Sequence, residues 1–72
     1  MITVYTKDNC PNCVKAKSIL VSQGIDFETI QINDDNIESL RTSGARNAPA
    51  IFLDDIYMGS YRELKAFVRD SK

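Results

Sequence analysis

The chain has 72 residues, 43% of them apolar and 26% charged, a composition typical of a small folded domain and not of a disordered segment. Nine basic and ten acidic side chains are interspersed along the sequence and give a formal net charge of −1, which disfavours a nucleic-acid partner. No apolar run approaches the roughly 18 residues that span a bilayer, and the first residues do not resemble a signal peptide. We therefore expect one domain over residues 1–72 that works in a reducing cytoplasm and binds neither a membrane nor a nucleic acid.

Hydrophobic spacing in the first half of the chain predicts a strand, a helix and a second strand. Residues 2–6 are a short β-branched and aromatic run, typical of a strand. After a loop, apolar residues recur three and four positions apart up to Gly24, which is a helical period with Lys15 and Lys17 facing outward. Residues 25–32 then form a strand whose apolar positions change phase, as expected of a strand covered on both faces.

The next part of the chain predicts a short helix and a hairpin. Residues 33–35 offer N-cap side chains for a weak helix that ends near Gly44. Residues 50–53 are a buried-strand run, and Asp54-Asp55 turns it back into a strand over residues 56–59. The two strands are therefore expected to pair in an antiparallel sense.

A capping box starts the last helix, because Ser60 and Glu63 have the spacing at which each side chain satisfies a free backbone donor of the other. The predicted element order is β-α-β-α-β-β-α. Its strand–helix–strand start implies a parallel pair with a right-handed crossover, and the hairpin adds an antiparallel pair. The predicted fold class is α/β, a four-stranded mixed sheet with three flanking helices.

The two cysteines lie at the predicted junction of the first strand with the first helix, in Cys10-Pro11-Asn12-Cys13. Free backbone N–H groups and the positive end of the helix dipole favour an anion there, and thiolate is the reactive form of cysteine. Pro11 suits the first helical turn because it has no N–H to lose. Both sulfurs share one helical face, and Lys7 carries a positive charge into the same loop.

Three interpretations of this pair are open at the level of the residues. The cysteines are redox-active, they are inert core residues, or they are half of a metal site shared between two chains. One chain has no histidine and only two cysteines, so it lacks the three or four ligands of a usual zinc site. A C-x-x-C motif after the first strand of a β-α-β unit is typical of redox proteins, which favours the first interpretation.

Two further segments are candidate binding positions. Ala48-Pro49 precedes the third strand, either as a trans proline that opens the strand or as a cis peptide that leaves the Ala48 backbone free to pair with a peptide-like substrate. Ser60 and Tyr61 start the last helix, where exposed N–H groups can bind a carboxylate. Arg62 is either a solvated charge or an attractor of an anionic partner.

Three motifs stand in the order and at the separations found in one known family. Lys7-x-x-Cys10-Pro11-x-Cys13 matches a lysine followed by a CPxC active site. Arg46-Asn47-Ala48-Pro49 falls where the family carries Arg-Thr-Val-Pro with a cis proline, and Gly59-Ser60 falls on a Gly-Gly pair. The sequence therefore resembles a glutaredoxin over nearly its whole length.

The resemblance implies the thioredoxin-like fold, a cis Pro49 and a redox-active cysteine pair in a monomer. It implies an enzyme of the thiol–disulfide oxidoreductase type, with Cys10 attacking and Cys13 resolving, no tightly bound cofactor, and glutathione as co-substrate. Disulfide-containing proteins are the implied substrates, with ribonucleotide reductase as the best single candidate. The implied glutathione or substrate groove consists of Lys7, Pro11, Asn12, Ala48, Pro49, Ser60 and Tyr61.

The sequence departs from the family pattern after the Gly-Gly position. Many glutaredoxins carry an acidic run there, whereas Tyr61-Arg62-Glu63 is more similar to the glutaredoxin-like redoxins that reduce ribonucleotide reductase with electrons from thioredoxin reductase. Those redoxins and some bacteriophage glutaredoxins are as short as this chain. The resemblance therefore implies the cytoplasm of a bacterium, or that of the host if a phage encodes the protein. An iron–sulfur carrier and a redox-inert adaptor are rival classes. Pro11 disfavours the carrier, and the intact cysteine pair disfavours the adaptor.

Overall fold

The computed structural model describes residues 1–45 and 48–70, with the side chain of Asp70 left out. Its element order is the predicted one, and none of the described helices is long and apolar enough to cross a membrane. The elements are β1 (Ile2–Thr6), α1 (Pro11–Ser22), β2 (Phe27–Gln31), α2 (Ile37–Thr42), β3 (Ala50–Leu53), β4 (Ile56–Gly59) and α3 (Tyr61–Asp70).

The four strands form one mixed sheet in the order β2-β1-β3-β4. β1 and β2 are parallel, so both end at the same edge of the sheet, at Thr6 and Gln31. β3 is antiparallel to β1 and begins at this edge with Ala50, while Ile51 faces Gly59 at the end of β4. We call this edge, formed by Thr6, Gln31, Ala50 and Gly59, the site edge. It receives the loop before α1 and the start of α3.

Both faces of the sheet are covered, because alternate strand residues point to opposite sides. α1 and α3 pack on one face, and α2 packs on the other. The first face buries Ile2, Val4, Ala16, Leu20, Ile51, Leu64 and Val68. The second buries Leu40, Ala45, Ala50 and Phe52. Since α1 and α3 each follow a strand that ends at the site edge, both helices begin there.

The strand predicted over residues 25–32 is shorter in the structure, and its two faces are only partly covered. β2 is an edge strand in which Phe27 and Ile30 are half-buried, whereas Glu28, Thr29 and Gln31 are exposed. Phe27 packs against the core on the α1 side, and Ile32, just after the strand, packs against the core on the α2 side, so the change of phase does reflect packing on both faces. The edge position leaves the polar residues of β2 in solvent.

The predicted N-cap of α2 was also placed too early. The side-chain oxygen of Asn33 accepts the backbone N–H groups of Asp35 at 2.9 Å and Asn36 at 3.1 Å, so Asn33 forms a turn before the helix. Asn36 is the N-cap, without a side-chain capping bond. Asparagine favours both turns and caps, which is why the sequence left the start of this helix undetermined.

The predicted turn between β3 and β4 is confirmed. Asp54 and Asp55 have φ values of 50° and 70°, the combination of two left-handed residues that a tight hairpin requires. Aspartate tolerates this conformation better than most residues, so the turn forms without a glycine. The Met1 ammonium donates to the Asp54 carboxylate, which joins the two chain segments at the edge of the sheet opposite the site edge.

Candidate active site

Cys10 is the N-cap of α1, as the position of the motif predicted. Its φ of −116° and ψ of 97° are extended, and its sulfur accepts the backbone N–H of Cys13 at 3.2 Å. Pro11 occupies the first turn, which carries no acidic residue. A thiolate at Cys10 is therefore stabilised by a backbone donor and by the positive end of the helix, and both lower the pKa of a cysteine thiol.

The two cysteines differ in access. They are joined by a disulfide bond, with their Cα atoms 5.3 Å apart. Cys10 is half-buried, whereas Cys13, in the first turn of α1, is only 2% exposed. An incoming sulfur therefore reaches Cys10 before Cys13.

An open hollow of about 580 Å³ lies beside the disulfide. The loop before α1 forms one wall, where Asn9 takes a left-handed φ of 56° to turn the chain toward Cys10. The hollow is lined by Thr6, Lys7, Asp8, Asn9, Cys10, Pro11, Cys13, Val14, Lys17 and Gln31. Two lysines and one aspartate give it a positive balance that suits an anionic sulfur or substrate group.

Lys17 contradicts the expectation that it faces outward. It is half-buried and lines this hollow, whereas Lys15 is exposed and does face solvent. Lys17 lies four residues after Cys13 and seven after Cys10, so the helical period places all three on one face. That spacing was the available signal for placing Lys17 beside the cysteines.

Replacing Lys17 with Gln is expected to destabilise the Cys10 thiolate of the reduced protein, because the variant removes a positive charge from the residues that line the hollow beside Cys10. Alkylation of Cys10 by iodoacetamide at neutral pH should then slow by about twofold to fivefold. Lys15→Gln is the matched control, with the same charge change on the exposed side of α1. Equal effects of the two variants would contradict a specific role for Lys17.

A smaller cavity of about 120 Å³ lies on the α2 side of the same loop, and Lys7 lines both spaces. The cavity is lined by Lys7, Ile32, Ile37, Leu40, Arg41, Ala45, Ala48 and Ala50. The Ala48–Pro49 peptide is cis, as the resemblance implied, with Ala48 half-buried and Pro49 fully buried. Arg46 and Asn47, the first half of that motif, lie outside the described residues.

The structure thus brings Lys7 and Pro11 together with the cysteines, and Ala48 joins them through Lys7. Asn12 is exposed in the first turn of α1. Ser60 and Tyr61 start α3 beside the site edge, but Tyr61 lines a separate hollow with residues of α3. The hollow at Cys10 and the cavity at Ala48 are two spaces that share Lys7, whereas Ser60 makes a different local contact.

That contact is one half of the predicted capping box, the bond from the Ser60 backbone to the Glu63 side chain. One carboxylate oxygen of Glu63 accepts the backbone N–H of Ser60 at 2.8 Å and its hydroxyl at 3.1 Å. The backbone hydrogen bond from Ser60 is the main cause that holds the pKa of Glu63 below its ordinary value of 4.5. Of the backbone donors expected to receive an incoming carboxylate, the Ser60 N–H is therefore already bonded to Glu63, which a ligand at that donor would have to displace.

The lowered pKa of Glu63 links the start of α3 to pH. A carboxyl whose pKa is lower in the folded state stabilises the fold above its unfolded pKa, and this contribution is lost as pH falls through the folded pKa. We expect Glu63→Gln to unfold with a urea midpoint that changes less than that of the parent between about pH 6 and pH 3. The same pH dependence in both proteins would contradict this role.

Comparison with known proteins places these features in one family. The Glutaredoxin family model matches residues 2–58. Glutaredoxin 3 of Escherichia coli strain K12 is 34% identical over 68 residues, covering 90% of this chain and 82% of that protein.

Two solved structures show the same fold. The buckwheat glutaredoxin–glutathione complex superposes with a TM-score of 0.81 at 25% identity, covering 99% of this chain and 70% of that one. The glutaredoxin-like NrdH-redoxin of Escherichia coli, described for its thioredoxin-like activity profile, superposes with a TM-score of 0.72 at 29% identity over 99% and 93% of the two chains. With its thioredoxin-like sheet and a disulfide at the N-cap of α1, the chain belongs to the glutaredoxin family of thiol–disulfide oxidoreductases.

Proposed function

We propose that this protein reduces disulfides by a dithiol mechanism in which Cys10 is the attacking sulfur and Cys13 the resolving one. The observation that carries the proposal is the difference between the two sulfurs. Cys10 is half-buried at the end of a helix and accepts a backbone N–H, whereas Cys13 is 2% exposed. The first arrangement favours an accessible thiolate, and the second favours a sulfur that reacts only within the chain.

The reaction proceeds in two exchanges. In the reduced protein, the Cys10 thiolate attacks one sulfur of the substrate disulfide. A Cys10–substrate bond forms as the substrate S–S bond breaks, and the released thiolate takes a proton from water. Cys13 then gives its proton to solvent and attacks the Cys10 sulfur, which forms the internal disulfide and releases the second substrate thiolate. The substrate gains two electrons and two protons, and the cysteine pair loses them.

Glutathione is the first candidate for returning the electrons. Lys7 lines both the hollow at Cys10 and the cavity at Ala48, so one cation can hold a peptide carboxylate between them. The proposed groove keeps the residues implied by the resemblance, namely Lys7, Pro11, Asn12, Ala48, Pro49, Ser60 and Tyr61. The solved complex of the buckwheat relative with glutathione supports this use of the fold.

Thioredoxin reductase is the second candidate, favoured by one specific contact. Because Glu63 occupies the backbone N–H and the hydroxyl of Ser60, a carboxylate of glutathione must displace it to bind there. The likeness to NrdH-redoxin, with its thioredoxin-like activity profile, points the same way. In either case we propose disulfide-bonded proteins in a cytoplasm as the substrates, with ribonucleotide reductase as the first to try.

One coupled assay separates the two electron sources. NADPH consumption is followed with a small glutathione mixed disulfide, glutathione and glutathione reductase, and in parallel with thioredoxin reductase and a protein disulfide. Turnover in the first assay that requires Cys10 supports the glutathione route. Turnover only in the second supports the reductase route, and none in either overturns the proposed function.

The Glu63→Ala variant sharpens this comparison. If a glutathione carboxylate uses the Ser60 N–H, removing its competitor should raise kcat/KM for the glutathione mixed disulfide and leave the thioredoxin reductase assay unchanged. The size of the gain is bounded by the net value of a charge-assisted hydrogen bond, so we expect about threefold to tenfold.

A further inference from the structure

Folding gathers three positive charges on one exposed face of α3. Arg62, Lys65 and Arg69 are spaced by three and four residues, so they lie in one row along the helix. All three are exposed, and together with Tyr61 and Ala66 they line a shallow hollow of about 430 Å³. We call these five residues the α3 basic face.

The cations of this face are available to a partner. Within the described part of the chain, the one ion pair closer than 4.0 Å joins Met1 to Asp54 at the far edge of the sheet. Glu63, the acidic residue in the first turn of α3, is held by Ser60. The ammonium of Lys65 lies 5.7 Å from the centre of the Tyr61 ring, a contact that fixes its direction and leaves its charge unneutralised.

The α3 basic face begins next to the redox site. Gly59 ends β4 at the site edge, two strands away from Thr6, which leads into the Cys10 loop. Two strand spacings are about 10 Å, so the first turn of α3 lies within reach of a partner bound at Cys10. From Arg62 to Arg69 the row extends about another 10 Å away from the site edge.

We propose that the α3 basic face docks an acidic segment of the disulfide-bearing protein that Cys10 reduces. The inference rests on the proposed function, because the row would hold its partner where a neighbouring disulfide meets Cys10. Carboxylates spread over about 10 Å, as on one face of a helix at three- and four-residue spacing, match the three cations. A protein segment fits better than a nucleic acid, since the row is short and the whole chain is net negative at −1.

The test compares two synthetic peptides that share one intramolecular disulfide. One carries a tail with three Glu residues at helical positions i, i+3 and i+7, and the other carries Gln at the same positions. Rate constants for their reduction by stoichiometric, pre-reduced protein are measured at an ionic strength of about 20 mM and again at about 500 mM. This single-turnover format needs no recycling reductase, so the electron source does not enter the result.

We expect the acidic peptide to react about threefold to tenfold faster at low salt, with the ratio approaching one at high salt. In Lys65→Gln/Arg69→Gln the ratio should fall close to one at low salt, while the rate with the neutral peptide stays unchanged. Lys15→Gln, which removes a similar exposed charge from α1, should leave the ratio as in the parent. A parental ratio of one, or an unaltered ratio in the double variant, would overturn the docking inference.

A binding measurement keeps this inference separate from the chemistry. Anisotropy of a fluorescent, cysteine-free version of the acidic peptide is followed against the oxidised protein and the double variant. If neither disulfide peptide is reduced but the acidic peptide binds through Lys65 and Arg69, the proposed oxidoreductase fails and the docking face stands. Tighter binding of a single-stranded oligonucleotide to the same two residues would overturn the assignment to a protein partner.

Discussion

Cys10→Ser is expected to abolish disulfide reduction, whereas Cys13→Ser is expected to block only the dithiol route. A serine hydroxyl at Cys10 is not ionised near neutral pH, so the stabilising N–H of Cys13 and the helix end have no thiolate to act on. We expect the rate with protein disulfides to fall by about a thousandfold or more, to the assay background. In Cys13→Ser the attacking sulfur remains, and external glutathione can resolve the mixed disulfide in place of Cys13.

The two variants should therefore separate by substrate. With a small glutathione mixed disulfide, Cys13→Ser should stay within about tenfold of the parent while Cys10→Ser is inactive. With a protein disulfide, Cys13→Ser should accumulate a covalent complex through Cys10, seen as a shifted band without reducing agent. Full activity of Cys10→Ser with either substrate would reverse the assigned roles. Thermal unfolding of the reduced proteins shows whether either change alters the fold.

The fold and the position of the redox pair could be predicted because their signals are local. Pro11 at the start of a helical period and the run that ends at Thr6 together place Cys10 at a strand–helix junction. The structure confirms that junction and its N-cap. Element order follows from the same signals, since a strand–helix–strand start leaves few ways to arrange four strands.

The sequence could not predict those contacts in which one polar group can form either of two alternative hydrogen bonds. Asn33 can form a turn or cap a helix, and only the folded chain shows that it forms the turn. The spacing of Ser60 and Glu63 predicted a bond between them, but it did not show which carboxylate, that of Glu63 or that of a ligand, the Ser60 N–H binds. Lys17 lies on the face of α1 that carries the cysteines, and the period of the apolar residues alone does not indicate that position.

The row of cations on α3 was missed for a related reason. In the sequence, Arg62, Lys65 and Arg69 are separated by Glu63 and apolar residues, so the charges look interspersed. On the helix, the buried side takes Leu64 and Val68, and the cations are left together on the opposite side. Charge patterns therefore become informative only when they are counted along a helix face.

Gly59→Ala is expected to have the largest effect on stability. Gly59 has a φ of 141°, which L side chains rarely adopt, and a methyl group there would lie 2.6 Å from the Cβ of Glu63. Unbonded carbons prefer about 3.5–4.0 Å, and the Cβ of Glu63 is fixed to the helix backbone, so the start of α3 must move. Backbone strain and overpacking together should cost about 2 to 4 kcal/mol.

Gly24→Ala is the matched control for this change. Gly24 also has a positive φ, of 69°, but no neighbouring atom lies within 4 Å of a methyl group built there. The free energy of unfolding of the control should fall only by the backbone cost, about 1 to 2 kcal/mol.

Urea unfolding of both oxidised variants, followed by circular dichroism, gives the comparison. Equal losses would mean that the contact with Glu63 is relieved without cost. A larger loss in Gly59→Ala would show that the close packing of Gly59 against Glu63 supports the start of α3. A 72-residue domain has roughly 4–11 kcal/mol of stability to draw on, so this one methyl group would remove a large part of it.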